Sequence, residues 1–222
     1  MSWGAMLRYP DGTPFYISGT IPMALVYKRD FSYSTSDYGH GQDLEDNNDA
    51  PYIYFVRFNE EYSTAYHSPN SGKRQIIFWN NRQDNVTGTI YCFGAVPQTP
   101  PKYGVAIWNE KNECILTNET KTLKGINVTG ASGPAGTALY LNEKIPGRKA
   151  IIPGRTGTIT YGGIIGGRPV LALEQYATNC YYDGVNTIVR STPYNGGSQM
   201  VPITQNFSLN YRPAYIDCSI YD

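Results

Sequence analysis

Short runs of Val, Ile, Tyr, Phe and Thr recur along the whole chain, and clusters of Gly, Pro and Asn separate them. β-branched and aromatic residues fit a pleated, half-buried surface, whereas Gly and Pro interrupt regular elements and favour turns. The sequence therefore predicts many short strands connected by turns. Strands are expected at residues 51–58, 74–79, 88–93, 137–141, 157–165, 187–190, 207–211 and 214–220.

Helical periodicity is almost absent from the chain. The best helical candidate is residues 170–177, which follow Pro169 and contain good helix formers, but a segment of this length cannot organise a domain. The 20 Tyr, 23 Gly and 15 Pro among 222 residues also favour strands and turns over long helices. The expected fold class is all-β.

The two halves of the chain each contain a hairpin-like run. Trp3-Gly4-Ala5-Met6-Leu7 precedes a turn at Pro10-Asp11-Gly12, and Tyr103-Gly104-Val105-Ala106-Ile107 precedes a turn at Glu110-Lys111-Asn112. Each run reads as a β-hairpin. Two interpretations stay open: duplication of one unit, or chance similarity between two hairpins in a β-rich chain.

A proline-rich stretch near the middle of the chain marks a candidate boundary. Residues 97–102 contain three prolines, which cannot donate to a sheet ladder and favour an extended connector. We predict an N-terminal β domain over residues 1–96 and a C-terminal β domain over residues 103–222, each sandwich-like. A single large sandwich is the alternative that the length also allows.

Residues 30–50 form a long polar segment in which we find neither strand nor helix periodicity. Loops of this length in compact domains are usually functional or disordered, so this segment is the first candidate for contact with a partner or receptor. A second long loop is predicted at residues 125–136 and a plain turn at residues 192–197. The candidate contact residues in the first loop are Tyr33, Tyr38, His40, Asp43, Glu45 and Asp46.

Many tyrosines lie in or beside polar segments. Tyr combined with Ser, Gly and Asn is typical of adaptable recognition surfaces. Half-buried strand tyrosines with solvated hydroxyls are the alternative interpretation. The tyrosines concerned are Tyr33, Tyr38, Tyr62, Tyr66, Tyr181, Tyr182 and Tyr194.

Charge and cysteine content exclude several classes of partner. The 18 basic and 18 acidic side chains cancel, so no global field favours nucleic acid or an anionic membrane. No segment is apolar over the length of a membrane span, and no secretory signal is recognised at the start. Cys92, Cys114, Cys180 and Cys218 lack zinc-ligand spacing, so we expect buried free thiols, which fit synthesis in a reducing cytoplasm.

We find no convincing catalytic constellation. His40 and His67 lie in polar surroundings without an adjacent nucleophile and orienting group, and surface positions are expected for both. The acidic run at residues 43–49 lacks the glycine and terminal glutamate of an EF-hand loop, so a solvated loop is preferred to a calcium site. No cofactor is expected, and we predict that the protein is not an enzyme.

The opening hairpin, with Pro22-Met23-Ala24-Leu25 downstream, and the related run from Tyr103 to Asn109 resemble small tail-associated proteins of long-tailed bacteriophages. The resemblance covers about a third of the chain. It implies a structural protein at the tail tip or tail fibre of a virion, which joins other tail proteins or touches a host-cell receptor. The resemblance supplies no catalytic residues.

Two other functions stay open. A capsid decoration protein would use the same β-rich surfaces on a different lattice. An enzyme acting on surface polysaccharide would need a pair of carboxylates in a groove lined by an aromatic residue such as Trp79 or Trp108. The available carboxylates are Glu60, Glu61, Glu143 and Glu174. Exposed strand edges also lead us to expect a homo-oligomer, with a trimer inferred by analogy to symmetric tails.

Overall fold

The computed structural model describes residues 20–34, 40–43, 51–70, 73–80, 85–130, 138–195, 203–209 and 211–222. Within these residues the protein is nearly all β, with two 3-10 helices of three residues each and no helix of seven residues or more. The strands are β1 (Ala24–Ser34), β2 (His40–Asp43), β3 (Tyr52–Phe58), β4 (Ser63–Asn70), β5 (Lys73–Asn80), β6 (Asn85–Gly94), β7 (Ala106–Trp108), β8 (Cys114–Thr117), β9 (Asn127–Val128), β10 (Asn142–Pro146), β11 (Lys149–Ile151), β12 (Arg155–Ile165), β13 (Arg168–Tyr182), β14 (Asn186–Asn195), β15 (Ile203–Ser208) and β16 (Ala214–Asp217). The 3-10 helices are η1 (Ala138–Tyr140) and η2 (Cys218–Ile220).

Strands β3 and β6 form the centre of the fold. β6 pairs antiparallel with β1 on one side and with β3 on the other. Alternate residues of a strand face opposite sides of the sheet, and here both sides are buried. Tyr54, Val56 and Phe58 therefore enter one core, whereas Phe55 enters the other.

The two cores have different partners. On the first face, β1, β3 and β6 pack against residues of β4 and β5, including Ile76 and Phe78. On the second face, Tyr91 and Phe93 of β6 pack against Ala150 and against the C-terminal residues Ile216, Cys218 and Tyr221. The fold is thus layered on both sides of one central group of strands, as a sandwich-like all-β architecture requires.

The longest strand, β13, links the rest of the sheet. It pairs with β12 and β14 over long registers, and single bridges connect Tyr181 to Phe58 and Thr178 to Ala65. β15 extends β12, β10 extends β14, β5 and β2 extend β4, and β11, β16 and β9 continue from β3. Strands before and after residues 97–102 therefore share one sheet, and the core around Phe55 contains residues from both sides of that stretch.

The all-β fold class is confirmed, and the strands predicted at residues 51–58, 74–79, 88–93, 157–165 and 187–190 are confirmed with small changes of boundary. The hairpin predicted around Tyr103 is confirmed as β7 and β8. Its proposed counterpart at residues 3–18 lies outside the described residues, and the duplication is unconfirmed.

Several element predictions are wrong. The helical candidate at residues 170–177 is part of β13, because the register pairing of all eight residues with β12 outweighs their local helix propensity. Residues 138–140 form η1 instead of a strand, and residues 218–220 form η2 after a shorter β16. Residues 192–195, expected to begin a turn, continue β14.

The polar segment at residues 30–50 is also not one loop. β1 extends through Ser34, and residues 40–43 form β2, which pairs with β5 from His40 opposite Phe78 to Asp43 opposite Gln75. The polar residues of β1 alternate with Phe31 and Tyr33, which face the first core. The same alternation is typical of a half-buried strand.

Candidate interaction surface

The β12–β13 hairpin is built around a tight glycine turn. Gly166 and Gly167 have φ values of 60° and 79°, and they connect the closing pair Ile165 and Arg168. Two successive residues with positive φ correspond to a type I′ turn, whose twist matches that of antiparallel strands. The Gly166-Gly167 dipeptide therefore sets the register of the whole hairpin.

The distal part of this hairpin, residues 162–174, extends past its neighbours; we call it the arm. Pairing of β15 with β12 ends at Tyr161, and pairing of β14 with β13 begins at Gln175. Between these limits the two strands of the arm pair only with each other among the residues that the structure describes. Residues 168–174 alone correspond to roughly 20 Å of extended strand.

One face of the hairpin is apolar and exposed. Leu173 lies opposite Thr160 on this face. Thr158, two positions before Thr160, shares the face and lies opposite Phe207 of β15. Leu171 lies opposite Gly162, and Ile164 lies opposite Pro169, on the same face. The exposed fractions are 75% for Ile164, 71% for Leu171, 59% for Phe207 and 49% for Leu173. A contiguous apolar group of this kind on a monomer is typical of a protein-binding surface.

The opposite face carries a tyrosine–carboxylate cluster. Glu174 Oε2 accepts hydrogen bonds from the hydroxyls of Tyr161, at 2.7 Å, and Tyr176, at 2.6 Å. The hydrogen bond to Glu174 raises the pKa of Tyr161, and burial together with the same carboxylate raises the pKa of Tyr176. Both hydroxyls thus remain protonated donors at neutral pH, and the cluster fixes the Glu174 side chain at the base of the arm.

Of the six predicted contact residues, Tyr33, His40 and Asp43 lie in the described part of the chain. Tyr33 is half-buried in β1, with its ring stacked on Phe31 at 5.2 Å and 5.3 Å from the ring of Phe78. The backbone of His40 and Asp43 belongs to β2, next to β5. Tyr38, Glu45 and Asp46 lie outside the described residues. The structure therefore places Tyr33 against the core and places residues 40–43 on a neighbouring strand.

Other tyrosines from polar segments pack against cations or rings. Tyr66 contacts the buried Tyr194 with 4.6 Å between ring centroids, and the guanidinium of Arg155 lies 4.5 Å from the Tyr66 centroid. Arg190 lies over the rings of Tyr62 and Tyr181. These contacts favour the interpretation of half-buried strand tyrosines over free recognition residues.

The carboxylates considered for polysaccharide hydrolysis each have their own intramolecular partners. Glu60 accepts hydrogen bonds from Thr87 at 2.6 Å and from Asn80 at 3.2 Å. Glu61 accepts from Arg190 at 2.7 Å. The backbone N–H of Gly130 donates to Glu143. Glu60 and Glu61 thus belong to different hydrogen-bond networks.

A small polar cleft of about 310 Å³ lies between β1, residues 98–99 and residues 117–121. The hydroxyls of Thr117 and Thr120 share a hydrogen bond of 3.0 Å, and the backbone N–H of Thr117 donates to the Thr120 hydroxyl. The ammonium of Lys121 donates to the Tyr221 carbonyl. Each of these polar groups therefore already has an internal partner.

The four cysteines are buried as free thiols, which confirms their predicted burial. Burial raises the pKa of Cys180 and raises that of Cys218 to about 11, so these two thiols are protonated at neutral pH. No group of three or more His, Cys, Asp or Glu side chains that could hold a metal ion occurs in the described part of the chain. None of the helices there is long and apolar enough to cross a membrane.

Comparisons with known proteins found no match among family models, curated proteins or solved structures.

Proposed function

We propose that the protein is a non-enzymatic structural protein of a bacteriophage tail, positioned at the tail tip or fibre, where it contributes to tail assembly or host attachment. The observation that carries this proposal is the arm, with its exposed apolar face and strand edges that lack neighbours among the described residues. The resemblance of the Tyr103 hairpin to small tail-associated proteins supports the location on a tail.

The chemistry of the arm suits assembly. Burial of apolar surface contributes about 25 cal/mol per Å², so docking Leu171 and Ile164 against a neighbouring subunit is a favourable driving force. Unpaired strand edges add backbone hydrogen bonds to such a contact. The neighbours would be other tail proteins or further copies of this chain.

Host attachment would use a different surface. The residues that the sequence favours for receptor contact include Tyr38, two positions before β2 in the sequence, and His40, the first residue of β2. A tail protein that uses the arm for assembly leaves this segment available for a cell-surface receptor.

The test is cryo-electron microscopy of the particle that carries this chain. Density at the tail tip, with the arm buried against a neighbour, is expected. Density on the capsid would overturn the tail assignment in favour of a decoration protein. Cleavage of host surface polysaccharide by the purified protein would contradict the non-enzymatic assignment.

A pair of variants tests the arm directly. Leu171→Lys puts a charge on the apolar face and should abolish incorporation into particles. Val185→Lys is the matched control, because Val185 is equally exposed, at 72%, but lies in the turn between β13 and β14. Equal incorporation of the two variants would show that the arm has no role in assembly.

A further inference from the structure

Among the described residues, the edge of β13 from Arg168 to Glu174 has no partner strand on the side of β14, because the described pairing with β14 begins at Gln175. The midpoint of this edge is Leu171. Between its charged ends the edge contains only Pro169, Val170, Leu171, Ala172 and Leu173. Natural edge strands are usually protected against pairing with other chains by Lys, Pro, bulges or covering elements. Among the described residues, Pro169 is the one such feature within this apolar run.

We propose that a second copy of this chain occupies this edge, through antiparallel pairing of β13 with β13 about a two-fold axis at Leu171. This inference rests on the proposed function only in taking the arm to be an interaction surface. The pairing would join the two arms into one continuous sheet.

Charge complementarity supports this register. In an antiparallel pair centred on Leu171, Arg168 of each copy lies directly opposite Glu174 of the other, and directly opposite residues share a face. The Arg168 side chain is exposed, and among the described residues it makes no hydrogen bond or ion pair. Glu174 Oε2 is held by the two tyrosines, so the carboxylate is already oriented when the second copy arrives.

The backbone geometry fits the same register. Ile165 and Arg168 close the glycine turn, so the backbone N–H and C=O groups of Arg168 point towards β12. Because these directions alternate along a strand, the backbone polar groups of Pro169, Leu171 and Leu173 point away from β12. The two Leu171 residues can therefore exchange both backbone hydrogen bonds across the axis. Each Leu173 N–H would meet a Pro169 carbonyl of the other copy.

Pro169 also fits this arrangement. The backbone nitrogen of Pro169, which carries no hydrogen, faces the edge of the sheet, and this is where a proline is tolerated. The apolar face gains from the pairing as well, since Leu171 and Leu173 of one copy would lie beside Pro169 and Leu171 of the other. The equal numbers of acidic and basic side chains leave no net repulsion between copies.

Cysteine crosslinking of the full chain tests the register. In the proposed pair the two Leu171 Cα atoms lie about 5.5 Å apart, within the range for a disulfide. Leu171→Cys should therefore form a covalent dimer under oxidised glutathione, seen on a non-reducing gel. Ile164→Cys is the matched control, because Ile164 is equally exposed but lies on β12, one strand farther from the axis.

We expect several-fold more covalent dimer for Leu171→Cys than for Ile164→Cys. Equal crosslinking of both, or none at Leu171→Cys, would overturn the proposed register. Sedimentation velocity of the wild-type chain gives an independent readout: a dimer that Leu171→Lys converts to monomer supports the proposal, and a wild-type monomer at all concentrations refutes it.

The failure of this inference is distinguishable from failure of the proposed function. A wild-type monomer whose incorporation into tails is still lost in Leu171→Lys would refute self-pairing but retain the arm as an assembly surface. A stable dimer that is found on no tail would retain self-pairing and refute the tail assignment.

Discussion

The Tyr91 hydroxyl donates a hydrogen bond of 2.7 Å to the Asp222 carboxylate and so ties β6 to the segment after η2. The same carboxylate receives the ammonium of Lys28 and the guanidinium of Arg148, each at 3.0 Å. β1, β6 and the residues just before β11 therefore converge on one side chain. Burial, with contributions from Cys218 and Asp222, raises the pKa of Tyr91, which keeps its hydroxyl a donor.

Asp222→Ala should lower the free energy of unfolding by about 2 kcal/mol, because it leaves the buried Tyr91 hydroxyl without its acceptor and separates two cations from their partner. Urea denaturation of the two proteins measures the difference. Glu119→Ala is the control, since Glu119 is exposed and its carboxylate has no hydrogen-bond partner among the described residues. A loss at Asp222→Ala no larger than that of the control would contradict a structural role for this carboxylate.

Acid should weaken the same network. Burial raises the pKa of Asp222, but hydrogen bonds from Tyr91, Lys28 and Arg148 outweigh it and lower the pKa to about 2, compared with 3.8 ordinarily. The ionised carboxylate therefore stabilises the folded state above about pH 4, and this contribution is lost as the pH falls from 4 towards 2.

The loss is expected to be about 1 kcal/mol, because the partly exposed cations are screened by solvent. In urea denaturation at pH values from about 5 to about 2.5, the free energy of unfolding of Asp222→Asn should fall less steeply with falling pH than that of the wild type. Identical slopes would show that the charge on Asp222 does not contribute.

Gly88→Ala should destabilise the centre of the fold. A Cβ atom at Gly88 would lie 2.2 Å from the Arg57 carbonyl oxygen and 2.8 Å from Cζ of Phe31. Because the first obstacle is the backbone of β3, the strands must shift, at a cost of about 2 kcal/mol or more. Thermal denaturation measures the effect, with Ser34→Ala at an exposed position of β1 as the control. A melting temperature equal to that of the control would contradict the close approach of β3 and β6.

Tyr33→Ala should reduce stability, because the ring packs on Phe31 and Phe78 at the border of the first core. We expect the free energy of unfolding, measured by urea denaturation, to fall by about 2 kcal/mol.

Tyr38→Ala is the matched variant from the same polar segment. If Tyr38→Ala impairs adsorption of particles to host cells without a change in stability, the receptor-contact hypothesis for that residue is retained. Equal stability of Tyr33→Ala and the wild type would contradict the packing of Tyr33.

The element types that the sequence predicts well are those with several independent signals. The run ending at Phe58 combines β-branched and aromatic residues with flanking turns, and the structure has β3 there. β1 is not among the predicted strands, and its residues after Arg29 are assigned to a polar loop because Ser and Asp lie between the aromatic residues. The alternation of Phe31 and Tyr33 with those residues carries the signal, but a strand of this kind is recognised only when one face is known to be covered.

The arm shows a different limit of prediction from sequence, because its conformation depends on pairing between strands. Good helix formers around Leu171 favour a helix locally, and only the Gly166-Gly167 turn, together with pairing to β12, determines that the segment is a strand. Its exposure depends on where β14 and β15 stop pairing, which is a property of the whole sheet. The sequence therefore favours a short helical candidate at residues 170–177 and does not predict an exposed strand there.

The position of β3 and β6 between two cores has a consequence for how the protein opens. Amides in strands buried on both faces exchange with solvent mainly through global unfolding, whereas amides at the tip of the arm need only local separation of two strands. Hydrogen exchange should therefore divide the chain into a slow centre and a fast periphery. The arm is therefore expected to open and re-form many times while the centre stays closed, so rearrangement of the proposed interaction surface would leave both cores covered.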